Sequence, residues 1–355
     1  EMTSSLVGSE MCIRDRSYTY NFTIEYNILQ SFSIHTIIKC MKTGAFIVPT
    51  GVGASIGGFA GDASIWARKF AEKCRLIVNP NVVNAACFSG ITENMLYVEG
   101  YSLDEFFKGN LYLTPSYHNK IGIIFDKSIS QPVLNVHINT INAVETVYGL
   151  DICGYEITDE EVGVDFFIDK SGASMGNVKN LQTLKYAAQN LLRKGAEAIA
   201  VVCHFPDEQG DDYANGLGVD PVGGVEAIIS HYISKEFIIP CAHAPAFDDI
   251  NISTEIVDKR CAAEYITPTF LPCILVGLNQ APLLSYSGAI SISDLDFLIV
   301  PYNSIGNIPV LEMTKRGKKV YAVKENKSVL NVTPENFNKC SIVNTYQELY
   351  NKLFN

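Results

Sequence analysis

The sequence predicts a three-layer α/β fold, in which a mainly parallel sheet is covered by helices on both faces. Short apolar runs rich in branched side chains alternate with segments whose apolar residues recur at helical spacing. The apolar runs are hydrophobic throughout, which is typical of parallel strands buried on both faces. Glycine-bearing and polar turns separate the two kinds of segment. We expect two lobes, 41–150 and 151–355, that meet near residue 150.

The elements are predicted from this alternation in chain order. In the first lobe we predict a strand at the apolar run that ends at Pro49, and further strands at 75–78, 95–98 and 121–125. Helices are predicted for the segment that begins at Asp62, and at 102–108 and 138–148. In the second lobe we predict strands at 164–168, 198–202, 236–239, 297–300 and 320–323, and helices at 181–193, 222–232, 256–265, 309–316 and from Thr345 onward. Turns are predicted at 171–177 and 241–247, and an acidic loop at 207–220 is long enough to be a lid.

A glycine-rich loop between the first strand and the first helix is the main candidate for a binding site. Backbone N–H groups at the start of a helix bind phosphate or carboxylate groups. The sequence therefore predicts an anion site formed by Thr50, Gly51, Gly53, Ser55, Gly57, Gly58 and Asp62. NAD(P) is less favoured, because the third glycine falls one place late for the dinucleotide motif and the next strand ends at Asn79 instead of an acidic residue.

A short pattern, Ser-(Ile/Met)-Gly-(Gly/Asn), occurs at 55–58, 174–177 and 304–307, each time between a predicted strand and a predicted helix. Ser and Asn often cap helices, so coincidence is one interpretation. The other is that several helix N-termini converge on one anion, and Ser174, Asn177 and Asn81 would then join the site. The first two copies also fit the GxSxG motif of serine hydrolases, which glycine-rich loops produce easily.

Polar residues follow several predicted strands, where ligands of parallel sheets usually bind. Besides Asn79 and Asn81, they include Glu99, His118, Asp207, Glu325 and Asn326.

Histidine and cysteine residues supply the candidate catalytic groups. We predict that His243 transfers protons, together with Cys241 or His118. Cys203, His204, His231, Cys241 and His243 could also suit zinc, but their spacing matches no standard zinc motif. The cofactor is unknown from the sequence, and nothing in the sequence requires a metal or other cofactor.

Composition limits the partners and the location. The formal charge is −11, from 27 basic and 38 acidic residues, and no basic cluster suggests nucleic acid. No apolar run reaches the roughly 18 residues of a membrane span, and no signal peptide follows Met41. The cysteines form no CxxC pair. We predict a cytoplasmic protein that is compatible with a homo-oligomer and binds neither nucleic acid nor membrane.

The first forty residues are predicted to be a non-native leader. Residues 6–16 resemble the translation of a transposon-type sequencing adapter, and 17–40 would then be upstream DNA read through. We therefore expect Met41 to be the start of the protein.

Most of the chain resembles one family. The resemblance covers 44–336 and is carried, in order, by the strings IVPTGVGASIGGFAGDA, NPNVVNAA, LYVEGY, GAEAIAVV, IPCAHAPA, FLPCILVGL and AVKENKSVLNVTPE. These strings are similar to DUF3326, a family of unknown function from cyanobacteria, plastid-bearing lineages and other bacteria. The resemblance therefore implies no catalytic residues.

Together these observations favour an enzyme that acts on a small phosphorylated or carboxylated metabolite. Two alternatives are a non-catalytic protein that binds or senses a small ligand, and a scaffold subunit in which the glycines only allow tight packing.

Overall fold

The computed structural model describes residues 41–49, 63–168, 174–206, 222–326, 330, 332–336 and 339–355. From Lys42 onward the chain forms one compact unit. The predicted leader 1–40, the glycine-rich residues 50–62 and the predicted lid 207–220 lie outside the described residues.

The secondary structure alternates between strands and helices, as predicted. The strands are β1 (Thr43–Phe46), β2 (Arg75–Val78), β3 (Asn84–Ala85), β4 (Phe88–Ser89), β5 (Met95–Tyr97), β6 (Tyr112–Thr114), β7 (Ile121–Phe125), β8 (Ile152–Ile157), β9 (Val164–Ile168), β10 (Ser174–Val178), β11 (Ala198–His204), β12 (Cys241–Ala246), β13 (Leu283–Ser285), β14 (Phe297–Pro301), β15 (Lys319–Val323) and β16 (Ser341–Val343). The helices are α1 (Ala63–Ala71), α2 (Pro80–Val83), α3 (Gly100–Lys108), α4 (Gln131–Tyr148), α5 (Leu181–Arg193), α6 (Gly223–Phe237), α7 (Ala262–Tyr265), α8 (Leu271–Asn279), α9 (Ile308–Lys315) and α10 (Tyr346–Phe354). Two short 3-10 helices lie at Ile292–Asp294 and Pro334–Asn336.

The larger sheet has six strands in the order β16-β15-β14-β1-β2-β5, and every pairing in it is parallel. Numbered along the chain and read from β5, its strands have the order 3-2-1-4-5-6. This is the order of doubly wound nucleotide-binding sheets, in which the direction of winding reverses between the first and fourth strands. Here that reversal falls between β1 and β14.

A second parallel sheet has four strands in the order β12-β11-β7-β8. It comes from the long chain segment between β5 and β14. Three small antiparallel pairs, β9 with β10, β6 with β13 and β3 with β4, complete the described pairings. The predicted mainly parallel α/β class is therefore confirmed.

Helices cover both faces of each large sheet. In β1, Phe46 packs with residues of α1 and α10, whereas the preceding Ala45 packs with α3 and α9 on the other face. In β7, Phe125 packs with α4 and α8, and Ile124 packs with α5 and α6. The cluster around Phe46 also contains Phe125 and residues of α8, so one continuous hydrophobic core joins the two sheets.

The division into lobes near residue 150 stays a prediction. Strand pairing crosses that position in both large sheets, since β1 pairs with β14 and β7 pairs with β8.

Two predicted turns are strands. The strand predicted at 236–239 is wrong, because α6 continues to Phe237 and the strand is β12, within the predicted turn 241–247. The turn predicted at 171–177 is strand from Ser174 onward, where β10 pairs with β9. The partner of β12 is β11, about 40 residues earlier, whereas β10 pairs with β9 directly before it in the chain, so strand pairing outweighed the local turn residues in both cases.

Candidate functional site

The chain after β1 continues towards the glycine-rich residues 50–62, and two asparagines bind its backbone at Val48. Val48 N donates to Asn79 Oδ1 at 3.0 Å, and Asn79 Nδ2 donates to Val48 O at 2.5 Å. Asn81 Nδ2 donates to the same carbonyl at 3.1 Å. The two side chains therefore fix the backbone just before residue 50. The role of Asn81 in ligand binding stays a prediction.

The segment after β14 lies across from the end of β1, on the other side of the point where the winding of the sheet reverses. Asn307 is the N-cap of α9, because its Oδ1 accepts from Val310 N at 3.0 Å. Asn307 Nδ2 also donates to Ser304 O at 2.7 Å, and Ser304 is buried. The third copy of the repeated pattern is thus a helix cap, which favours the interpretation that Ser and Asn serve as caps.

The second copy of the pattern lies within β10 instead of between a strand and a helix. Ser174 is buried, and its Oγ accepts from Gly224 N at 3.0 Å, at the start of α6. A Cβ on Gly176 would collide with the carbonyl of Asp165 on β9, so this glycine permits close strand pairing. Asn177 is exposed. Because a nucleophile elbow needs a strand-to-helix turn, the interpretation of Ser174 as a hydrolase nucleophile is wrong.

The predicted ligand residues Thr50, Gly51, Gly53, Ser55, Gly57, Gly58 and Asp62 lie outside the described residues.

His243 lies on β12 beneath α6. Its Nδ1 is 2.9 Å from Ser230 Oγ, and its Nε2 is 3.8 Å from Glu226 Oε2. Burial, together with the charge of His231, lowers the pKa of His243 to about 3, so its imidazole is neutral near pH 7. Serine, histidine and glutamate are the residue types of a hydrolase triad. Ser230, however, is only 1% exposed, so a substrate could not reach its hydroxyl without movement of α6.

Cys241 precedes His243 on the same face of β12 and is fully buried. Burial raises the pKa of its thiol well above the usual value, with a smaller contribution from the charge of Glu99. The thiolate is the reactive form of cysteine, so this environment favours a core thiol over a nucleophile.

His118 is exposed and comes shortly before β7, at the amino edge of the four-stranded sheet. The structure places His243 and Cys241 together on β12, whereas His118 precedes β7, which is two strands away in the same sheet. Their catalytic roles stay predictions.

A cluster of buried polar side chains lies at the end of β5. Only one of its members, Glu99, was singled out from the sequence. Tyr97 Oη donates to Glu99 Oε1 at 2.6 Å, and Asn84 Nδ2 donates to Tyr97 Oη at 3.2 Å. Burial raises the pKa of Glu99 to about 8, and the hydrogen bond from Tyr97 opposes part of that effect. No local sequence pattern marks Asn84 and Tyr97 as partners of a carboxyl group.

A cleft that the sequence did not predict opens after β12, at the carboxyl edge of the smaller sheet. Its volume is about 490 Å³, within the range of small-molecule sites. Its lining is mixed, with aromatic side chains beside polar and acidic ones, namely Phe247, Tyr265, Phe270, Asp249, Asn251 and Glu264. Within the part of the chain that the structure describes, no group of three or more His, Cys, Asp and Glu side chains could hold a metal ion.

Comparison with known proteins identifies the family. The family model DUF3326, described as a protein of unknown function, matches residues 43–353. The chain belongs to the DUF3326 family. A Synechococcus sp. protein named as an uncharacterized lipoprotein is 41% identical over 302 residues, which cover 82% of this chain and 84% of that protein. No solved structure matches the chain.

The name of this relative contradicts the cytoplasmic location that we predicted. A lipoprotein is anchored to a membrane by covalently attached lipid. The cytoplasmic prediction is therefore wrong: it rested on composition and hydropathy, which do not indicate whether a protein carries a lipid. Among the described helices, none is both long and apolar enough to cross a membrane.

Proposed function

We propose that this DUF3326 protein binds a small phosphorylated or carboxylated metabolite at the carboxyl edge of the larger sheet, between β1 and β14. The strand order is the observation that carries the proposal. In open parallel sheets, ligands bind where the winding reverses, and in this sheet that point is between β1 and β14. The glycine-rich residues 50–62 follow β1 in sequence, and their composition suits backbone contact with an anion.

The residue at the end of β2 favours a small metabolite over a dinucleotide as the ligand. In dinucleotide sites an acidic residue at this position binds a ribose hydroxyl. Here the position is occupied by Asn79, whose amide oxygen and nitrogen both bind the backbone of Val48. Asn79 therefore already has partners for both ends of its side-chain amide.

Ligand binding without covalent chemistry is favoured by the surroundings of Cys241 and His243. Cys241 is buried with a raised thiol pKa, and His243 is a neutral imidazole that contacts Ser230 beneath α6. We therefore rank a binding or sensing role above an enzyme that uses these two residues. The lipoprotein name of the Synechococcus relative supports a role at a membrane surface for this chain as well.

The test is a thermal-shift screen of the full chain against phosphorylated metabolites, carboxylates and nucleotides, followed by calorimetry. A ligand at 100 times its dissociation constant should stabilise the protein by about 2.7 kcal/mol. We expect Gly57→Val to abolish the shift, because a side chain there would obstruct the proposed contact between backbone and anion. Glu93→Gln, at an exposed carboxyl group before β5, is the control and should retain it. A shift that survives Gly57→Val, or no shift across the panel with a folded protein, would overturn the proposal.

A further inference from the structure

A small cavity lies beside the buried carboxyl group of Glu99. Its volume is about 10 Å³, and its walls come from the end of β5, the start of α3 and the end of α8. Most of its lining is apolar, including Pro240, Leu278 and Leu284. The polar side chains at its wall belong to Tyr97, Glu99 and Ser102. A space of this size holds about one water molecule.

Ser102 provides the second observation. It is only 2% exposed, and its Oγ has no hydrogen-bond partner among the residues that the structure describes. A buried hydroxyl without a partner costs about 1–3 kcal/mol, so such groups are rare unless water or an ion completes them. Glu99 is also buried, at 7% exposure, and only its Oε1 receives the hydrogen bond from Tyr97.

We propose that Glu99 and Ser102 bind one buried water molecule in this cavity, and that the water gives Ser102 the partner which the described residues do not provide. The water would extend a hydrogen-bonded chain that runs from Asn84 through Tyr97 to Glu99. It would accept from or donate to the second oxygen of Glu99 and bind Ser102 Oγ. Two or more polar partners around a one-water space are the usual requirement for an ordered internal water.

Water fits the site better than a cation. A sodium or potassium ion would need an ionised carboxylate and several oxygen ligands, and the lining contains few polar side chains. Burial raises the pKa of Glu99 to about 8, so its carboxyl group is mainly protonated at neutral pH. A neutral carboxylic acid, a hydroxyl group and a water molecule can satisfy one another without any net charge.

The chain provides a matched pair of variants for the test. Ser234 on α6 is also buried, at 1% exposure, and its Oγ likewise has no partner within the described residues, but it does not line the cavity. We expect Ser102→Ala to lower the Tm of the full chain by about 2–4 °C, because the water loses a partner. Ser234→Ala should leave the Tm unchanged or raise it, since it removes an unsatisfied hydroxyl. Both residues lie in helices, so each substitution also introduces the better helix former alanine.

A crystal structure of the full chain provides the direct measurement. We expect electron density for one water within hydrogen-bond distance of Ser102 Oγ and of the Glu99 carboxyl group. An empty cavity, or a Ser102→Ala variant as stable as Ser234→Ala, would overturn the proposal. So would a Tm that rises in sodium or potassium chloride relative to choline chloride at equal ionic strength, because that result would identify a bound cation.

Discussion

Glu99 lies in an environment that its residue type does not suggest. A glutamate after a strand looks like a surface residue, yet in this chain it lies among Tyr97, Leu278 and Pro240. The sequence placed Glu99 at a strand end correctly, because strand ends follow from local hydrophobicity. Its burial could not be predicted, because α8 and the segment before β13, which cover it, come from some 180 residues later in the chain.

Glu99 should make the protein less stable in alkaline solution. Its pKa is about 8 in the folded protein and about 4.5 in the unfolded chain, so between these values the folded state holds the extra proton. Stability should therefore fall as the pH rises from 4.5 to 8, by at most about 1.4 kcal/mol per pH unit from this group. Glu99→Gln should remove this loss and be more stable than the wild type at pH 8.

Urea denaturation between pH 5 and 9 measures this effect. Glu93→Gln, at an exposed carboxyl group six residues earlier, is the control and should follow the wild-type pH profile. Parallel profiles for Glu99→Gln and the wild type would contradict the burial of an ionisable Glu99.

His243 should produce the opposite dependence at acid pH. Its pKa is about 3 in the folded protein and about 6.5 when unfolded, so the unfolded chain takes up the proton first. Stability should fall as the pH decreases from 6.5 towards 3, and His243→Gln should weaken this fall by up to about 1.4 kcal/mol per pH unit. The exposed His118 provides the comparison: His118→Gln should leave the acid branch unchanged. Equal acid sensitivity in His243→Gln and the wild type would mean that His243 is not held neutral.

Some helices and strands could be predicted from the sequence, and others could not. The helix predicted at 181–193 is α5 with the same bounds, because its apolar residues have a clear helical period and Asn180 caps its start. By contrast, β12 was predicted as a turn. Its small residues Ala242, Ala244 and Ala246 face α8, and Cys241 and His243 face α6. This two-residue period was hidden by Pro245 and by the lack of large side chains, and the pairing with β11 stabilises the strand.

The contact between α3 and α6 depends on a glycine at the first position of α3. A Cβ on Gly100 would collide with Nε2 of His231 on the neighbouring helix. Gly100→Ala should therefore destabilise the protein by about 1–3 kcal/mol, although alanine is the better helix former. Adding His231→Ala should restore much of the loss, and a double-mutant cycle in urea measures the coupling. Additive losses in the double variant would contradict a direct collision between the two helices.

At the scale of the whole molecule, the hydrophobic core joins both large sheets. Residues of β1, β7, α1, α8 and α10 belong to one buried cluster. We expect the two sheets to unfold together, because separating them would expose this shared apolar surface.

Two tryptophan probes test this expectation. Trp66, the single tryptophan of the chain, stacks on Tyr346 beside the larger sheet, with ring centroids 5.8 Å apart. A Trp66→Phe/Tyr155→Trp variant moves the probe to β8 of the smaller sheet. In each protein, the urea transition followed by tryptophan fluorescence should coincide with that followed by far-UV circular dichroism. The wild type and the variant should also agree with each other after correction for the change in stability that the substitutions cause. Separate transitions would instead show that the two sheets unfold independently.

The sequence alone determined the α/β class, most of the strands and helices, the DUF3326 resemblance and the glycine-rich connection after β1, because each depends on residues close together in the chain. Only the tertiary structure decided the 3-2-1-4-5-6 order of the larger sheet, the insertion of the smaller sheet between β5 and β14, the burial of Glu99 and the position of His243 beneath α6. These features depend on contacts between distant segments, which hydrophobic periodicity does not encode. A buried strand can pair with any other buried strand, and the choice among them is made by the packing of the whole chain.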